Sequence, residues 1–229
     1  MLTSSHVAKN CVLAAISPAD YPTLFEKFEL VDLQFQQIIY CPGQTIDYVY
    51  FPLSSVISLV SVGVDQPMSE IVLVGREGLI GLPVFLGSLQ KNHQAIVLVS
   101  GVTIRVEKNI FLAESERPGI FRDKLLAYTQ VRLNFLAQNI TCKSHYTIQQ
   151  QLAGWLLSVY ERVEGAELML TQPFIAQLFG IRRASVTDAA IKLQNAGLIA
   201  YRRGKISILD PQGLADFACS RYDTVKKVC

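Results

Sequence analysis

The pattern of apolar and polar positions divides the chain into two textures. From about residue 33 to 107, apolar residues come in short runs rich in β-branched and aromatic side chains: Ile38–Tyr40, Tyr48–Phe51, Val56–Val62, Glu70–Val74, Gln94–Val99 and Val102–Val106. Pro42-Gly43, Pro52, Gly63, Asp65-Gln66-Pro67, the Gly75–Gly78 tetrad and Ser100-Gly101 punctuate them. Short strands separated by turn residues at this spacing predict a sandwich or a jelly-roll barrel. Ahead of it, residues 12–30 read as a short helical lead-in, with Ser17-Pro18 as its start signal.

From Pro118 the period becomes helical. Leu126, Thr129, Leu133, Leu136 and Ile140 recur at alternating spacings of three and four, the seam of a helix that packs on a partner. A second stripe, Phe121, Leu125, Tyr128 and Phe135, lies beside it. Two stripes imply burial on two sides, one against the β region and one against the same helix of a second copy in a two-fold dimer. The competing reading is a core helix inside a monomer. A polar break at Thr141–His145 precedes another helix, Tyr146 to about Arg162, with Ile148, Leu152, Trp155, Leu156 and Val159 on one face.

Residues 168–209 carry the most specific signal. Thr171 is placed to cap a helix with Pro173 in its first turn, where a missing N–H costs little. Gly180 ends that helix, and a second runs from about Arg182 to Ala196, with Val186, Ala189, Ala190 and Leu193 inward and Gly197 closing it. This is a helix-turn-helix pattern. Leu198–Tyr201, Arg202-Arg203-Gly204-Lys205 and Ile206–Leu209 then predict a hairpin with a tight basic turn, a wing. Helical hairpins and basic turns are each common alone; their tandem order is what points to a nucleic-acid partner.

Charge agrees once it is divided. The whole chain of 229 residues carries 21 basic and 19 acidic side chains. Residues 1–143 hold 11 basic and 12 acidic groups, net −1, whereas 144–229 hold 10 and 7, net +3. Within 182–205 lie Arg182, Arg183, Lys192, Arg202, Arg203 and Lys205 against the single acid Asp188. Arg and Lys at a helix N-terminus and a wing tip are placed to meet phosphates flanking a groove.

Other classes find less support. No apolar run approaches the roughly 18 residues of a membrane helix, and the first residues show no secretory pattern. Cys11, Cys41, Cys142, Cys219 and Cys229 lie far apart, which reads as a reduced, cytoplasmic chain. The β region holds one histidine, His93, so a cupin-type metal site lacks its ligands, and no nucleophile elbow or phosphate loop occurs. The protein is expected not to be an enzyme.

The order of β-roll, long helix and winged helix-turn-helix resembles the Crp/Fnr (cyclic-AMP receptor protein / fumarate-nitrate regulator) family of bacterial transcription factors. The residues that carry the resemblance are Leu170-Thr171, Ile175-Ala176, Gly180, Arg183-Ala184-Ser185-Val186, Leu193, Gly197-Leu198-Ile199 and Arg203-Gly204-Lys205-Ile206. Pro42-Gly43, Tyr50-Phe51-Pro52 and Gly75-Arg76-Glu77-Gly78-Leu79-Ile80-Gly81 follow more loosely, in the right order. The resemblance implies an α+β chain with a cyclic-nucleotide-binding-like jelly roll over 1–117, a dimerisation helix over 118–143 and a winged helix-turn-helix DNA-binding domain over 144–229. It implies a homodimer on double-stranded DNA with a two-fold symmetric operator, with RNA polymerase as a further partner.

Laid on this sequence, the family's first base-reading Arg falls on Arg183, suited to guanine O6 and N7. The acid that often follows falls on Ala184, and a later basic reader on Asp188, so the operator should differ from the best-known family consensus. Ser185 and Thr187 become base or phosphate contacts, and Arg182, Arg202, Arg203 and Lys205 phosphate contacts. Leu126, Thr129, Leu133, Leu136 and Ile140 become the dimer seam.

In the sensor the resemblance breaks down. Cyclic-nucleotide-binding members use a Gly-Glu pair for the ribose and an Arg-Ser/Thr pair for the phosphate. Here Gly81 is followed by Leu82-Pro83, and the later position reads Lys91-Asn92-His93-Gln94-Ala95. Gly81, Leu82 and His93 thus mark an altered effector pocket, His93 being read as a surface-loop residue. Cyclic AMP is not expected to bind in the usual way, no other cofactor is expected, and the effector is left open. An iron–sulfur or haem sensor lacks clustered ligands, since only His6, His93 and His145 and the scattered cysteines are present. Thiol sensing through Cys142 is a further option. Two rival readings stay open: a protein-interaction regulator that uses the winged helix without DNA, and a cyclic-nucleotide-responsive regulator with an atypical pocket.

Overall fold

A computed structural model describes residues 3–63, 68–87, 93–163 and 167–218. The chain begins with helix α1 (Ser4–Val7), a 3-10 turn at Leu13–Ala15 and helix α2 (Pro22–Glu26). The predicted single lead-in helix is therefore broken. The Ser17 hydroxyl donates to the Asp20 carboxylate at 2.7 Å and accepts the Asp20 N–H at 3.3 Å, closing a turn. Helix restarts only at Pro22, whose fixed φ suits a first helical position.

Seven strands follow: β1 (Glu29–Leu33), β2 (Ile38–Tyr40), β3 (Tyr48–Pro52), β4 (Val56–Ser61), β5 (Ser69–Val74), then, past the short helix α3 (Leu82–Phe85), β6 (His93–Val99) and β7 (Gly101–Glu107). They form two antiparallel sheets, ordered β1-β7-β3 and β2-β6-β4-β5. This is the predicted jelly roll. Phe51, Val49, Ile104 and Val106 of one sheet meet Ile57, Leu59, Val74 and Val97 of the other in a common core. Burying each such side chain contributes about 1.5–3 kcal/mol.

Helix α4 (Lys108–Glu116) leads into the long helix α5 (Ile120–His145). Phe121, Leu125, Tyr128 and Arg132 of α5 are buried. Tyr128 lies so close over Gly78 that an added Cβ there would sit 2.1 Å from its hydroxyl oxygen, which only glycine avoids.

Helix α6 (Ile148–Tyr160) opens with a capping box: Thr147 Oγ1 accepts the Gln150 N–H, and Gln150 Oε1 accepts the Thr147 N–H. Then come β8 (Glu167–Met169), α7 (Gln172–Phe179), α8 (Arg183–Asn195), β9 (Ile199–Arg202), β10 (Lys205–Ile208) and α9 (Pro211–Phe217). The wing is a three-stranded sheet, β8-β10-β9.

The four-stranded sheet is buried on both faces. Ile57, Leu59 and Val97 point into the jelly roll, while Val56, Val60, Leu73, Ile96 and Leu98 join Trp155, Phe174 and Ile175 in a second core. That explains why the run from Val56 does not alternate apolar with polar residues: a strand with two covered faces has no need to. Phe35 extends the joint, edge-on to Phe174 at 5.4 Å between ring centres. No helix among the described residues is long and apolar enough to cross a membrane.

Candidate nucleic-acid interface and the sensor face

The helix-turn-helix is built by short-range devices. Thr171 Oγ1 accepts the Phe174 N–H at the start of α7, Pro173 occupies its first turn, and Gly180 takes φ +66° at its end. Val186, Ala189, Ala190 and Leu193 seat α8 in the domain core. Between the two helices, Thr187 Oγ1 donates to Gln172 Oε1 at 2.7 Å. Of the predicted DNA contacts, Thr187 thus serves a structural bond, which its place facing α7 explains and its sequence position did not reveal.

With the apolar side of α8 used in packing, Arg183, Ala184, Asp188, Ile191 and Lys192 stand exposed, and Ser185 is half-buried beside them. Arg182 is the exposed residue just before the helix. Among the described residues no salt bridge joins Asp188 to Arg183 or Lys192. At the wing tip Arg203 and Gly204 both have positive φ, +51° and +80°, the geometry of a two-residue hairpin turn matched to strand twist. Arg202, Arg203 and Lys205 are exposed around it, and Lys205 Nζ reaches Glu167 only at 3.7 Å.

On α5 the stripe expected to form the seam behaves differently along its length. Leu126, Leu133 and Ile140 are 48, 55 and 68% exposed, seven residues apart on one line of the helix. Leu136 is half-buried and packs against the jelly-roll core. The half-buried Thr129 bonds back to the Leu125 carbonyl through its hydroxyl.

The jelly roll corrects one expectation. His93 is not a loop residue: it begins β6, half-buried, edge-on to Tyr40 at 5.9 Å and with Nε2 3.2 Å from the Tyr40 hydroxyl. Burial pushes the Tyr40 phenol well above its ordinary range, against the opposing pull of Arg132. Arg132 itself is buried; its Nη1 donates to the Tyr128 hydroxyl at 3.0 Å, and its Nε has no partner. Leu82 is buried at the start of α3, and a Cβ on Gly81 would press on Val49. Lys91 lies outside the described residues. Sequence reasoning passed over Arg132, although it fills the gap in the stripe Phe121, Leu125, Tyr128, Phe135 at helical spacing.

It also passed over the joint between the two halves. Arg162 Nε donates to Glu77 Oε1 at 2.8 Å, with both side chains almost wholly buried. Gly75 lies beneath this pair, where an added Cβ would sit 2.9 Å from Arg162 Cγ. Cys41 and Cys142 form no disulfide, and Cys219 and Cys229 lie outside the described residues. No group of His, Cys, Asp and Glu among the described residues is arranged to hold a metal ion.

These features define a winged helix-turn-helix DNA-binding domain joined through a long helix to a jelly roll. The Crp-like helix-turn-helix domain family matches residues 150–217. Among solved structures, a putative Crp/Fnr-family transcriptional regulator from Eubacterium rectale is 15% identical over 91% of this chain and 98% of its own, with a TM-score of 0.72. FixK2 from Bradyrhizobium japonicum is 15% identical over 84% and 98%, with a TM-score of 0.70. The Crp/Fnr-family regulator TTHA1359 from Thermus thermophilus is 21% identical over 85% and 100%, with a TM-score of 0.67. No curated protein sequence matches the chain significantly. Residues 150–217 are thus a Crp-like helix-turn-helix domain, and the chain carries it in the fold of the Crp/Fnr transcriptional regulators.

Proposed function

We propose that the protein is a sequence-specific DNA-binding transcription regulator that works as a homodimer on a two-fold symmetric operator. The observation that carries the reading is the exposed basic set Arg182, Arg183, Arg202, Arg203 and Lys205, around a helix α8 whose other face, Val186, Ala189, Ala190 and Leu193, is used in packing. Arg183 reads a guanine edge in the major groove, and the other four meet phosphates. Ser185 adds a backbone or base contact, and Ala184 offers only a methyl surface. Asp188, unpaired near phosphate, favours a cytosine N4 donor.

The exposed line Leu126, Leu133 and Ile140 is the seam for the second copy, since a two-fold contact lays this line on itself. Such a dimer sets two recognition helices about one turn of DNA apart. On this reading the working compartment is the cytoplasm, where DNA and RNA polymerase are met, and the protein is not an enzyme.

The jelly roll does not take cyclic AMP in the usual way. By the sequence resemblance Leu82 falls where the family has its ribose carboxylate, and Tyr128 and Arg132 of α5 are buried. The test is a titration of the purified protein against its own upstream DNA and a scrambled duplex at several salt concentrations. Preference for the upstream duplex with steep salt dependence supports the reading. Flat salt dependence on both duplexes contradicts it and favours a protein partner for the winged helix.

A further inference from the structure

Between β5, the last turns of α5, α6 and α7 lies a half-open cleft of about 110 Å³. It sits at the joint of the jelly roll and the DNA-binding domain. Phe135, Trp155, Phe179, Val72 and Leu178 wall it, and the half-buried Glu70 side chain opens into it. Two donors fix the Glu70 carboxyl: Ser58 Oγ and Trp155 Nε1, each at 2.7 Å. An ionised carboxylate has about four acceptor positions, so further donors can still reach it.

Two cations, Lys143 and Arg162, also line the cleft, with their hydrogen bonds directed to other partners. Lys143 Nζ on α5 donates to Ser69 Oγ at 3.1 Å and to the Glu70 backbone carbonyl at 2.9 Å. Arg162, just past α6, bonds Glu77 and Ser158. No salt bridge to the Glu70 carboxylate is formed among the described residues.

We propose that this cleft binds a small organic amine, a protonated ammonium group on an apolar or aromatic body. The ammonium makes the direct ion pair to the Glu70 carboxylate that neither Lys143 nor Arg162 makes, in a charge-assisted hydrogen bond. The aromatic walls favour the same charge sign through their ring faces and bury the body of the molecule. A carboxylate ligand meets repulsion from Glu70 instead. Burial raises the Glu70 pKa to about 7, against the bonds from Ser58 and Trp155 and the charges of Lys143 and Arg162. Amine binding therefore strengthens as pH rises through that value. Because the cleft is shared by β5 and α6, an amine that prefers one arrangement of the two halves shifts their balance. Only this last consequence rests on the regulator reading.

Trp155 is the single tryptophan of the chain, so its fluorescence reports the site directly. Above the carboxyl pKa of about 7, 2-phenylethylamine should give a saturable change in that signal. The neutral 2-phenylethanol and the anionic phenylacetate should bind on the order of tenfold more weakly or worse, as should the amine to Glu70→Gln. Phe135→Ala, which leaves Glu70 in place, should also weaken the amine, and guards against a folding defect in the first variant. Equal response to all three probes, undiminished binding in both variants, or no saturable response overturns the proposal. Since the readout does not involve DNA, such a failure leaves the proposed regulator standing, and a failure to bind DNA leaves the cleft untouched.

Discussion

The two halves of the molecule use charged side chains in opposite directions. In the winged helix-turn-helix, Arg182, Arg183, Arg202, Arg203 and Lys205 stand outside a core that is apolar throughout. In the jelly roll and its joints, Glu77 with Arg162, Arg132 with Tyr128, and the Glu70 carboxyl are turned inward. Outward charge is available to a polyanion that arrives from solvent, and costs nothing to keep hydrated. Inward charge is expensive unless it is paired, and its geometry holds one element against another. On the proposed reading, the same residue types serve contact in one half and registration in the other.

The comparison is broken most severely at the joint. Arg162→Ala leaves the Glu77 carboxylate buried without its partner, and should destabilise the fold by about 3–5 kcal/mol, read from the midpoint of urea unfolding. A loss under about 1 kcal/mol would mean that the pair behaves as a solvated surface bridge. Next comes the exposed line of α5. Leu133→Asp puts like charges face to face in a two-fold seam and should convert a dimer to a monomer in light scattering, with the fold intact. An unchanged mass would remove this line from the dimer contact.

Arg183→Ala should leave the unfolding midpoint alone and lower discrimination between a specific site and random duplex by about 1–3 kcal/mol. Equal weakening on both duplexes would make Arg183 a phosphate contact instead. The smallest effect is local. Thr171→Ala removes the hydroxyl that accepts the Phe174 N–H, and should cost about 1 kcal/mol of stability, seen as a small fall in Tm.

Legibility in the sequence follows the same division. Thr171, Pro173, Gly180 and the wing turn at Arg203-Gly204 act over three or four residues, so their roles could be read from spacing alone, and the structure places caps and turns on them. The strands of the jelly roll were likewise visible as short β-branched runs. What was hidden depends on partners far along the chain: Glu77 and Arg162 are 85 positions apart, as are Glu70 and Trp155. Spacing says nothing about such pairs. The run from Val56 reads as a strand in the sequence, but neither the covering of both its faces nor the winged-helix half as its outer cover is visible there. His93 was misplaced because a polar neighbourhood suggested a loop, while Tyr40 across the sheet gives its ring a partner.

The central claim is that the outward half retains DNA recognition while the inward half has lost the usual cyclic-nucleotide contacts. It is tested most directly by fluorescence anisotropy of the protein on its upstream duplex, with and without saturating cyclic AMP. The account predicts tight, salt-steep binding with the same midpoint in both titrations. A midpoint shifted on the order of tenfold or more by cyclic AMP, equivalent to about 1.4 kcal/mol of coupling, would contradict it.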